Sequence, residues 1–204
     1  YLVKAVVSLN SSRDKENIAI YGAGSSGRQL AQALIHGNEY EPWFVVQDDQ
    51  FPNQFYFTGD LEIGAASDVT DTILEPEVPT DPAQPIVLQL DSFGGSVQVG
   101  ILLAELVEQY DIRVEVVGRC GSACGYPLLA SNERYIHPRA WIGFHAPYSE
   151  YSDGTISFDD NSLTFYYQIL VGLLEKIGVS DEFIQSTNLK DAEHLWYPSY
   201  ERLK

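Results

Sequence analysis

The sequence predicts a layered α/β fold, and three observations carry that expectation. First, PIVLQL (85–90) is an apolar strand, VQVGILLAELVEQ (97–109) an amphipathic helix, and VEVV (114–117) a second strand. Strand, helix, strand in that order implies parallel neighbours joined by right-handed crossovers. Second, glycine-rich turns follow both strands, SFGGS at 92–96 and GRCGSACGY at 118–126. Third, 45% hydrophobic and 20% charged residues across 204 positions suit a globular chain with a real core.

From the N-terminus, Ile18 to Tyr21 reads as a short strand, followed by Gly22, Gly24 and Gly27 in G-x-G-x-x-G spacing. Leu30, Ala31, Leu34 and Ile35 repeat at helical period, and Gly37-Asn38 ends the helix. A second strand, Trp43 to Val46, leads into Asp48 and Asp49. This order matches a dinucleotide fingerprint, with glycines for the turn, the helix N-terminus for pyrophosphate and an acid for the ribose hydroxyls. The stretch resembles the NAD-binding start of the nucleoside-diphosphate-sugar epimerases and dehydratases. That resemblance implies NAD binding through Gly22, Gly24, Gly27 and Asp48, but it stops near residue 50. The residues alone describe half a mononucleotide unit, so a strand–helix–strand segment whose glycines only shape a turn is the favoured reading. Residues 1–50 are therefore expected as a partial Rossmann-like segment and 51–204 as a separate body.

In that body, QFYFTG (54–59) alternates like a strand. EPEVPTDPAQP (75–85) carries four of the ten prolines and is a loop. Strand 85–90 ends at Asp91, and the helix over Val97 to Gln109 has apolar residues at intervals of three and four. Strand 114–117 delivers the chain to Ser122, and Ala123 to Ala130 can begin a helix. Arg134 to Ile136 and Trp141 to Phe144 are short strands. Thr164 to Gly178 forms a long helix, and Ser180, Glu182 and Phe183 open a third. The segment 148–162, rich in Tyr, Ser and Asp, is expected to border a site.

A formal net charge of −17 argues against a nucleic-acid partner and against anionic membrane surfaces. No apolar run approaches the roughly 20 residues of a spanning helix. The chain starts at Tyr1 and contains no methionine, so it is read as lacking its natural start, and the missing signal peptide decides nothing about compartment. If Cys120 and Cys124 pair, the protein is expected to be periplasmic or exported; if reduced, cytoplasmic, with two small apolar fillers.

Acyl transfer needs a nucleophile on a rigid turn, a base, a group that orients the base, and N–H donors aimed at the developing oxyanion. Ser122, between small neighbours after a strand, suits the first. Gly94-Gly95 after a buried strand suits the donors, because glycine exposes its N–H and tolerates positive φ. His145, following the strand 141–144, suits the base. His36, His137 and His194 fit less well. In a parallel sheet the strand-end turns would share one edge.

LDSFGGSVQVG, GRCGSACGYPLLAS and IGFHAP, in this order, resemble the proteolytic subunit of the Clp protease and its relatives over about residues 53–204. Cysteines also flank the serine in Clp-like homologues predicted among bacterial exported proteins. The resemblance implies a ClpP/crotonase-like β-α-β spiral and a serine peptidase acting on peptides or proteins. It implies Ser122 as nucleophile, His145 as general base, and an oxyanion hole from the Gly94-Gly95 turn, chiefly the Gly95 N–H, with Ala123. It also implies ring-like self-association into a homo-oligomer, with no cofactor at the site. Phe93 stands where the family usually has proline, which predicts a less rigid turn. The third triad member is Asp191, with Asn188 or no side chain as alternatives. An imidazole base predicts loss of activity below about pH 6.5. A catalytically inactive, oligomeric scaffold is the competing reading.

Overall fold

Three strands occupy the middle of one sheet, β4 (Gln54–Thr58), β5 (Val87–Ser92) and β6 (Arg113–Gly121): β4 is buried almost throughout, while β5 and β6 bury one apolar face, with Leu88, Leu90, Val114 and Val116, and carry Gln89, Arg113 and Glu115 on the other. They run parallel, with Phe55 opposite Leu88 and Leu88 opposite Val114. The computed structural model describes residues 4–10, 15–21, 43–150, 153, 155–157, 161–187 and 194–203. Among them the sheet order is β2-β1-β3-β4-β5-β6-β7, where β1 is Lys4–Asn10, β2 Lys15–Tyr21, β3 Phe44–Gln47 and β7 Arg134–Ile136. Strand β8 (Trp141–Gly143) also pairs with β6. The first half of β6 pairs with β7 and its last residues with β8, so β6 spans two partners end to end.

Helices link the parallel strands: α1 (Ala65–Leu74) between β4 and β5, α2 (Val97–Gln109) between β5 and β6, and α3 (Gly125–Ala130) between β6 and β7. Helix α1 was not legible as a helix. Its buried positions are Ala65, Ala66, Val69 and Ile73, too small and too mixed with Thr and Asp to display a period. Trp43 Nε1 donates to Asp68 Oδ2 at 2.9 Å and ties α1 to the sheet. Helix α4 (Asn161–Lys176) and α5 (Asp181–Thr187) follow a small hairpin of β9 (Ser149–Glu150) and β10 (Ile156–Ser157). The core holds Phe44, Phe55, Phe57, Leu88, Leu90, Leu103 and Phe144, all essentially inaccessible. Each such side chain stabilises the fold by about 1.5–3 kcal/mol relative to exposure.

The N-terminal expectation changes here. Strand β1 lies between β2 and β3 and is antiparallel to both. The fingerprint needs the glycine-bearing strand next to the strand that ends in the acid, whereas here they stand two strand spacings apart, roughly 9–10 Å. Asp48 is buried and accepts through Oδ1 from the N–H groups of Gln50 (2.9 Å) and Phe51 (3.2 Å), so its carboxylate shapes the β3–β4 turn. The NAD-binding reading is not supported. Gly22, Gly24 and Gly27, and the helix expected after them, lie outside the described residues. The boundary expected between residues 50 and 51 falls in that same turn, and β3 and β4 on either side of it pair antiparallel in one sheet.

Candidate active site

Ser122 is the first residue after β6, in a single 3-10 turn (Ser122–Cys124) that runs into α3. Its φ is +52°, a left-handed conformation that an L side chain adopts at a cost of about 1–3 kcal/mol. Local structure holds it there. Cys120, at the end of β6, is joined by a disulfide to Cys124, with their Cα atoms 5.2 Å apart, and both residues are buried. Gly100 of α2 leaves room for the turn: a Cβ there would stand 2.7 Å from the Ala123 carbonyl oxygen. Tyr126, beneath the turn, has its hydroxyl pushed well above the usual tyrosine range by burial and, secondarily, by Tyr167, so it stays protonated. The result is a half-buried serine at a sharp strand-to-helix bend, where the first N–H groups of a helical turn lack partners within it.

The Gly94-Gly95 turn lies against this bend. Gly94 (φ +103°) and Gly95 (φ +137°) both need the freedom of glycine. A Cβ on Gly94 would stand 2.5 Å from the Gly121 carbonyl oxygen and 2.8 Å from Ser122 Cβ. The turn is clamped from its other side by Leu61, whose N–H donates to the Gly94 carbonyl (2.7 Å) and whose carbonyl accepts from Ser96 N–H (2.8 Å). Gly94 N–H donates to Ser92 Oγ at 3.0 Å. Gly94 is therefore not a free donor, contrary to expectation; its part is to leave space. Gly95 N–H has no protein acceptor among the described residues.

His145 follows β8 by one residue. Phe144, between them, exchanges both backbone hydrogen bonds with Trp196 (2.9 and 2.6 Å), which fixes the approach of the chain. His145 Nδ1 lies 2.7 Å from the Ala146 carbonyl oxygen. A carbonyl only accepts, so Nδ1 donates its N–H here, and in the neutral imidazole the lone pair is then on Nε2. The imidazole ring packs at 5.4 Å from Tyr148.

Ser122, Gly95, His145, Phe93, Tyr148 and Glu150 line one cleft of about 450 Å³. Ser122 and His145 share it without a direct hydrogen bond between them, an arrangement that substrate-free sites often show. Asp191 and Asn188 lie outside the described residues. The segment expected to border the site does so through Tyr148, Ser149 and Glu150, the last two in the β9–β10 hairpin, whereas two features escaped sequence reading: the Leu61 clamp and an Asp91–Arg119 ion pair at 3.0 Å beside the turn. The acid at the end of β5 and the arginine in GRCGS were visible, but nothing in their spacing paired them. Among the described residues, no cluster of three or more His, Cys, Asp or Glu could hold a metal.

No family model matches the chain, and no curated protein is detectably similar in sequence. Solved structures are informative. The 1510-N membrane-bound stomatin-specific protease, in a mutant form, matches with a TM-score of 0.54 at 21% identity, covering 70% of both chains. ClpP1 from Listeria monocytogenes matches with a TM-score of 0.55 at 19% identity, over 85% of this chain and 89% of that one. The ClpP protease catalytic domain from Plasmodium falciparum matches at 0.52 and 17% identity, over 70% and 74%. The strands, helices and strand-end turns described above are thus assembled in the α/β fold of the ClpP-type proteases.

Proposed function

We propose that this chain is a serine peptidase or related acyl hydrolase. In this reading Ser122 Oγ attacks a peptide or ester carbonyl while His145 Nε2 takes its proton. The Gly95 and Ala123 N–H groups stabilise the oxyanion. Collapse of the tetrahedral intermediate expels the amine or alcohol, which takes the proton from His145, and water then releases the acyl group by the same route. The observation that carries the reading is that a strained serine, an unpaired glycine N–H and an imidazole with a free Nε2 line one cleft. The protease folds of the solved relatives support an enzyme of the peptidase kind. The Cys120–Cys124 disulfide favours an oxidising compartment, and self-association is part of the proposal.

The test is labelling by a fluorophosphonate. Wild-type protein is expected to label at Ser122, and Ser122→Ala to abolish labelling. Labelling that survives this substitution would overturn the assignment. The missing Ser122–His145 hydrogen bond is equally compatible with a second reading, a non-catalytic scaffold, which predicts an unreactive wild-type serine.

A further inference from the structure

Phe93 stands where a rigid residue is expected, and the residue is 47% exposed, so burial alone does not account for its position. The ring is nevertheless held. The Arg119 guanidinium carbon lies 4.1 Å from its centroid, and Trp141 packs against it at 5.8 Å. Arg119 and Trp141 are cross-strand partners on β6 and β8, so they present a common platform to the ring. Arg119 is fixed in turn by Asp91, whose Oδ1 accepts from its Nε (3.0 Å) and its backbone N–H (2.9 Å). Gly118 makes this approach feasible, since a Cβ there would stand 2.6 Å from the Asp91 carboxyl carbon.

The backbone of Phe93 touches the nucleophile bend. A Cβ on Gly121 would lie 2.8 Å from the Phe93 carbonyl oxygen, and Gly94 abuts Ser122 directly. Residue 93 is thus linked through Gly94 both to the Gly95 N–H and to the Ser122 bend. Partly exposed cation–π and ion-pair contacts add little to global stability, so their value here is local.

We propose that Asp91, Arg119 and Phe93 are positioning residues: the carboxylate orients the guanidinium, which holds the Phe93 ring and so sets the Gly95 N–H against Ser122. This rests on the hydrolase reading for its kinetic consequence, but the ordering of the turn does not.

The test uses Arg119→Gln and Phe93→Leu, with Phe93→Tyr as the variant that keeps the stack. Two quantities are read on folded protein: the fluorophosphonate labelling rate of Ser122, and the backbone order of the Gly95 amide by nitrogen-15 relaxation. Arg119→Gln and Phe93→Leu are each expected to slow labelling about tenfold, a fraction of the 10²–10³-fold effect of deleting an oxyanion donor. The double variant should be no slower than either single one, because both break one chain of contacts. The Gly95 order parameter should fall from about 0.85 towards 0.6. Phe93→Tyr should stay within about twofold of wild type on both readouts. Unchanged labelling and unchanged Gly95 order in Arg119→Gln and Phe93→Leu would overturn the proposal, as would a Phe93→Tyr loss equal to that of Phe93→Leu. Failure of wild type to label would remove the hydrolase reading and leave Gly95 order to decide this one.

Discussion

Two strand-end turns on this sheet treat their polar groups in opposite ways. At the β3–β4 turn the Gln47 amide donates to Pro52 O and Val78 O (2.7 and 2.6 Å) and accepts from Val78 N–H (3.0 Å). Asn53 likewise donates to Asp81 O and Gln84 O and accepts from Asp81 N–H. Asp48 caps the turn between them. At the adjoining turns after β5 and β6, Gly95 N–H and Ser122 Oγ have no protein partner among the described residues, and both line an open cleft. A buried polar group must be paired or it costs about 1–3 kcal/mol, so the first turn closes on itself. A site that acts on something else keeps donors and acceptors for it. One atom breaks the pattern: Asp49 Oδ1, beside the first turn, is buried without a partner among the described residues.

Substitutions can break or sharpen this contrast. The largest effect is expected at Gly94→Ala. The new methyl would meet Gly121 O and Ser122 Cβ at 2.5 and 2.8 Å, at a φ of +103°. Overpacking and backbone strain together should destabilise by about 2–4 kcal/mol. The labelling rate of the remaining folded protein should fall more than about 10²-fold, because the methyl separates the turn from the nucleophile. A urea melt and a labelling time course read these two losses separately.

Next in size is Asn53→Ala, which strips three hydrogen bonds and orphans their backbone partners. A loss of about 2–3 kcal/mol is expected, or a Tm lower by roughly 5–10 °C. Labelling per folded molecule should be unchanged. A Ser122 labelling rate that dropped in step would mean that the two turns are not independent.

The smallest change is expected from Asp48→Ala, about 1 kcal/mol for a lost turn cap. Added NAD should not raise the Tm of either wild type or variant. Stabilisation of wild type by NAD that vanishes in Asp48→Ala would return this carboxylate to a ligand site.

Legibility followed the same division. Strand 85–90, helix 97–109 and the turns after β5 and β6 could be read because apolar period and glycine placement are local properties. Helix α1 could not, since alanines buried against large neighbours leave no contrast along the chain. Strand β6 proved longer than 114–117, because Arg119, Cys120 and Gly121 pair with β8, and Cys120 also with β5. Phe93 was read as a loosened turn, and its ring instead meets a guanidinium supplied from 26 residues further on in sequence. The glycine fingerprint near the N-terminus was correctly spaced, yet spacing says nothing about which strand lies beside which.

The sequence by itself determined which segments bend, which alternate and which side chains could serve as nucleophile, base and donor turn, since these depend on residues within a few positions of each other. Only the tertiary structure decided that Asp48 closes a turn, that Gly94 contributes space rather than a proton, and that Ser122, Gly95 and His145 open on one cleft. Those outcomes depend on strand order and on contacts between residues distant in sequence, where a shift of one strand changes every partner.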